Sequence, residues 1–176
     1  SADVSKWFLE NDMQLNPNKS EAMVVGTKSS LRKSSPIKTV NIANTPVNTS
    51  AKVKIIGVTL DNTLSFNQHV TNLCQESNYH IQALWHIWPL LDKATASTLA
   101  CNIVHSRLDY CNSLLIDTSD HNIKRLQQVQ NKLARVVCLA SRRDSASELL
   151  QKLHWLPISN RIEYKIACIT HKLIND

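Results

Sequence analysis

Apolar positions recur at two different spacings along this chain, and the spacing changes near residue 65. Ahead of that point, Val4, Trp7, Phe8 and Met13 predict a helix over residues 2–13, stopped by Asn16-Pro17-Asn18. Residues 21–27 (EAMVVGT) form a short strand-type run, residues 29–36 a polar basic loop, and residues 37–43 alternate as a strand does before a turn at 44–46. Residues 52–60 (KVKIIGVTL) carry the strongest β signal, with Gly57 read as a bulge or close backbone approach. From Ser65 the period becomes three to four: Phe66, Val70, Leu73, Ser77, Ile81, Leu84 and Trp88 predict one long helix. Asp92 is placed to cap a second, with Ala96, Leu99, Ile103 and Leu108 inward. A third carries Ile123, Leu126, Val129, Leu133, Val136, Val137 and Ala140. Leu149, Leu150 and Leu153 follow in a short turn near Ser147, and Pro157 opens a last helix with Ile158, Ile162, Ile166, Ile169 and Leu173. The expected fold class is α+β, mostly α: an N-terminal helix and small antiparallel sheet (residues 1–64), then a helical bundle (residues 65–176).

Composition supports this picture and removes alternatives. Two glycines in 176 residues argue against a turn-rich β sandwich. Cys74, Cys101, Cys111, Cys138 and Cys168 are odd in number and lie mostly in apolar runs, so buried free thiols in a reducing, intracellular compartment are expected. No apolar run approaches the ~20 residues of a membrane span, so no membrane partner is expected. The net charge of +6 is unevenly spread: residues 22–60 carry six bases and no acid, and residues 121–143 again six bases and no acid. Acid-free basic blocks suit a phosphate backbone, whose counterions they displace, although a solvated face has the same composition.

Candidates for catalysis are few. Polymerase and nuclease chemistry needs carboxylates converging on metal ions. Glu21 and Asp61, the acids nearest strand ends, show no pairing in sequence and are expected to be solvated or capping, while capping or ion pairing is the expectation for Asp109 and Asp117. Cys101 with His105 and Cys168 with His171 have helical spacing, but neither has the short spacing of a zinc motif. Trp85, Trp88 and Trp155 are able to stack on bases, yet their helical spacing favours packing.

Residues 7–21 (WFLENDMQLNPNKSE), 53–66 (VKIIGVTLDNTLSF), 106–114 (SRLDYCNSL), 126–137 (LQQVQNKLARVV) and 153–165 (LHWLPISNRIEYK) resemble, in the family's order, phrases of the reverse transcriptases of LINE-type (non-LTR) retrotransposons. The resemblance implies a rear palm edge with a primer-grip hairpin, followed by the thumb. It implies that Lys52, Lys54 and Gly57 lie near the primer strand. It also implies that Lys124, Arg125, Lys132 and Arg135 track phosphates of a hybrid between an RNA template and a DNA primer. The family's Phe/Tyr-Ala-Asp-Asp motif, which binds two Mg2+ ions in the complete enzyme, does not occur here. It is expected upstream of Ser1 with the rest of the palm and the fingers, so that the chain itself holds no cofactor and alone does not polymerise; a start at Ser1 rather than methionine and an end at Asp176 inside a helical pattern lead to the expectation that both ends are cut. At Trp85 and Trp88 the family pattern calls for basic or small polar residues. Each is one C-to-T change from an arginine codon, an expected mark of decay. The alternative is a non-enzymatic nucleic-acid-binding or helical interaction protein derived from a decayed element.

Overall fold

A computed structural model of the chain describes residues 2–33, 37–42 and 45–175. The chain divides into two compact units, Ser1–Phe66 and Asn67–Asp176.

The first unit opens with helix α1 (Ala2–Glu10). It ends before Met13, and Val4, Trp7 and Met13 are exposed rather than packed. Asn16 caps a 3-10 turn (Pro17–Lys19) by accepting from Asn18 N. The strand expected at residues 21–27 is reduced to one bridge, Ala22 with Thr49, and the basic loop expected next is largely helix α2 (Lys28–Lys33). Thr27 explains the helix: its hydroxyl accepts from Ser30 N (3.2 Å) and its carbonyl from Leu31 N (2.9 Å), which caps the first turn. Residues 34–36 lie outside the described residues.

Two antiparallel pairs follow instead of one sheet, β1 (Thr39–Ile42) with β2 (Thr45–Asn48) and β3 (Lys52–Ile55) with β4 (Val58–Asp61). They stay separate because the backbone between them bonds elsewhere, Ser50 N to Ala22 O and Asn62 N to Ala51 O. Thr45 and Pro46, expected in a turn, belong to β2, where Pro46 pairs with Asn41; residue 43, expected to end the strand, and residue 44, expected to open the turn, lie outside the described residues. Gly57 is not within a strand. It shares a two-residue hairpin turn with Ile56, both left-handed at φ 80° and 44°. Asp61 closes the pair as a cap: Oδ1 accepts from Thr63 N and Ser65 N, and Oδ2 from the Ser65 hydroxyl.

In the second unit the long periodic segment is α3 (Asn67–Ile87), with Val70, Leu73, Cys74, Ser77, Ile81 and Leu84 buried. Asp92 caps α4 (Lys93–Ala100) through Thr95 N (2.6 Å), as its position predicts. The run then widens into a π turn (Cys101–His105) before α5 (Ser106–Asp109). Ala100 and Val104 are buried while Leu99 and Ile103 are only half-buried. The 19-residue α6 (Asp120–Cys138) buries Leu126, Val129, Leu133, Ala134 and Val137 at helical spacing. Then come α7 (Ala146–Lys152) and α8 (Ile158–Asn175). Only the first turns of α8 reach the core, through Ile158 and Ile162; Ile169 and Leu173, expected inward, are exposed.

Three cross-helix hydrogen bonds set the direction of α3 against α6. Asn122 Nδ2 donates to Asn67 Oδ1, Arg125 Nη2 to Thr71 Oγ1 and Lys132 Nζ to Asn78 Oδ1. Partners advance together along both chains, so the helices run parallel. Gln127 ties in α8 by accepting from Ile158 N (2.9 Å), and Gln130, wholly buried, donates to Leu156 O. All five cysteines are free thiols; Cys74 is buried, but Cys101, Cys111 and Cys138 are half-buried and Cys168 is exposed, against the expectation of burial. No helix among the described residues is long and apolar enough to cross a membrane.

Candidate nucleic-acid interface

The expected site residues fall into separate groups. In the first unit, strand alternation puts Lys52 and Lys54 on one exposed face and buries Val53 on the other, with Lys52 opposite Asp61 and Lys54 opposite Thr59. Gly57 lies at the tip of that hairpin.

In the second unit, the helical step of ~100° per residue places Arg125 and Lys132 nearly in line on the rim of the apolar face of α6. There each side chain reaches a polar residue of α3. Lys124 and Arg135 share the next row, turned by roughly 80–100°. Lys124 is exposed. Arg135 donates to Asn131 O (3.4 Å) and Asp144 O (3.3 Å), while its Nε is buried without a partner. The two rows give α6 a continuous positive side.

What that side lacks is acid. Among the described residues the ion pairs are Lys6 with Glu10 and Arg161 with Asp109. Lys124, Arg125, Lys132, Arg135, Arg142 and Arg143 therefore have no carboxylate within 4.0 Å among the described residues. Burial pushes the Cys74 thiol up, although the nearby charges of Arg125 and Lys132 act against that shift. The thiol is thus protonated, and inert, beside the basic row.

At the C-terminal end of α3 this positive side meets a groove lined by Gln82, Trp85, Lys132, Arg135, Val136 and Arg142. Trp85 is 53% exposed, so the expectation that it packs is overturned. Trp88 is half-buried, with its indole nitrogen unbonded. Trp155 is buried as expected, edge-on to His105 at 4.2 Å between ring centres. Sequence reading missed Trp85 and Arg142 as groove residues because only the pairing of α3 with α6 brings them together.

Among the described residues, neither metal nor nucleophile chemistry has a constellation to support it. Cys101 Sγ lies 3.8 Å from His105 Nδ1. His105 is held neutral, its pKa pushed down to about 4 first by burial and then by Arg161. No group of three or more His, Cys, Asp or Glu among the described residues is placed to hold a metal ion, so the donor set does not fit the two Mg2+ ions of a polymerase centre. Asp109 is held by Arg161 in a two-pronged ion pair, Nε to Oδ1 at 2.8 Å and Nη2 to Oδ2.

This chain is similar to RNA-directed DNA polymerase encoded by a transposon, which relates it to reverse transcriptases. The relative is a probable RNA-directed DNA polymerase from transposon X-element of Drosophila melanogaster, 28% identical over 138 residues. The match takes in 76% of this chain but only 14% of the relative, so the chain corresponds to a small part of that protein. No family model matches the chain, and no solved structure matches it.

Proposed function

We propose that this chain is a piece of a transposon reverse transcriptase whose task is to hold the hybrid duplex of RNA template and DNA primer. The observation that carries the reading is the positive side of α6, whose four bases, with Arg142 and Arg143 just beyond its end, have no carboxylate partner among the described residues, in a chain similar to a transposon polymerase. On this reading residues 65–176 are the thumb, and Lys124, Arg125, Lys132 and Arg135 meet phosphates on the shallow minor-groove side of an A-form duplex, recognised by shape. Residues 1–64 are the palm edge, with Lys52, Lys54 and Gly57 of the β3–β4 hairpin against the primer. The catalytic carboxylates belong to another part of the polymerase, since no Asp-Asp pair occurs here. The chain therefore binds without polymerising.

Affinity for a blunt RNA–DNA hybrid, measured across a series of salt concentrations, tests this. Four phosphate contacts give a log–log slope of about −3 to −4. Replacing Lys124, Arg125, Lys132 and Arg135 by alanine is expected to weaken binding and flatten the slope to what Lys52 and Lys54 contribute. A flat slope for the unaltered chain would refute duplex binding and leave a helical protein-interaction module.

A further inference from the structure

We infer that the groove at the C-terminal end of α3 takes an unpaired nucleotide, its base on Trp85 and its phosphate among Lys132, Arg135 and Arg142. The inference rests on the proposed nucleic-acid binding and adds a second kind of strand to it.

Three observations converge on that ligand. An indole more than half exposed on a helix is a flat apolar surface without a packing partner large enough to cover it. Base stacking is the interaction that uses such a surface irrespective of sequence. The groove is also cationic: Lys132 spends one of its three donors on Asn78, Arg135 lines it with a guanidinium whose terminal nitrogens donate to the Asn131 and Asp144 carbonyls, and Arg142 is exposed. A ligand there must be anionic. Val136 and the buried Ile81 add apolar lining, and Gln82 adds an amide. Flat, apolar on its faces, polar on its rim and anionic at one end describes a nucleotide. A base paired inside a duplex cannot expose its face, so the fit is to an unpaired one.

The test compares three probes on the intact chain: a blunt RNA–DNA hybrid, the same hybrid with a short single-stranded overhang, and a phosphorylated acidic peptide. Tryptophan emission and affinity are followed together. The overhang is expected to quench emission and to bind about tenfold tighter than the blunt hybrid, the scale of one stacked base. Trp85→Ala should abolish both differences while leaving blunt-hybrid affinity and its salt slope intact, and Trp85→Phe should keep part of the preference. An overhang that binds no better than the blunt hybrid, or a preference that survives Trp85→Ala, would overturn the nucleotide site while duplex binding stands. Loss of salt-dependent binding to every hybrid would instead remove the proposed function. Quenching by the peptide as strong as by the overhang would assign the groove to a protein ligand.

Discussion

Leu139 ends α6 in the left-handed region at φ 51°, with its N–H and that of Ala140 turned back to Arg135 and Val136 carbonyls. Glycine normally holds this position because it lacks the Cβ that strains it. Leu139 is 53% exposed and contributes little burial, so Leu139→Gly is expected to stabilise the fold by about 1 kcal/mol, read from the thermal midpoint. His105 is sensitive to acid. Its folded pKa of about 4 lies below its ordinary 6.5, so the unfolded chain takes up the proton first as pH falls. The stability tied to neutral His105 is complete above pH 6.5 and is lost progressively towards pH 4, a total of about 3 kcal/mol. His105→Phe keeps an aromatic ring against Trp155 and should flatten stability between those pH values in denaturant titrations. Some slope should remain from His69, which burial also holds down against the opposing charge of Glu76. At Trp85 the decay reading and the nucleotide site part company: sibling genomic copies that also carry tryptophan there would count against decay.

Between elements, the Asp109–Arg161 pair joins the end of α5 to the first turns of α8, both side chains partly shielded from water. Asp109→Asn retains the shape but loses the charge, and an unfolding midpoint lowered by an amount equivalent to about 2 kcal/mol is expected, with little further loss on adding Arg161→Gln. The partner of Asp109 was invisible in sequence because 52 residues separate the two. By contrast α3 and α6 were legible, since a 3.6-residue period over about twenty residues leaves few alternatives. Short elements were not. Residues 28–33 contain one apolar side chain, Leu31, so α2 has no period to read; its Thr27 cap was the available signal. The Ile56–Gly57 turn was taken for strand because isoleucine is rare at a left-handed position. For the site, charge blocks marked α6 correctly as basic, but Trp85 looked like core because it follows Leu84 on a helix. Only the register of α3 beside α6 puts its indole at the surface.

On the scale of the whole chain, stability is unequally shared. Val53 and Val58 are the buried apolar side chains described in Ser1–Phe66, whereas Asn67–Asp176 buries twenty. Two-stranded pairs with so little burial are marginal. Amide hydrogen exchange should therefore be faster in β1–β4 than in α3 and α6 by about a hundredfold or more; equal protection in both would show that the hairpins are better supported than their own burial accounts for. The parallel run of α3 beside α6 also has a consequence for birth of the protein on the ribosome. Its hydrogen-bonded partners are 54 or 55 residues apart, and two parallel neighbours cannot meet until the connection between them has been made. At ~5–20 residues per second, each turn of α3 emerges several seconds before the turn of α6 that will cover it. During that interval the nascent chain presents an unpaired apolar stripe to chaperones, and slower translation of the α4–α5 stretch would prolong the exposure.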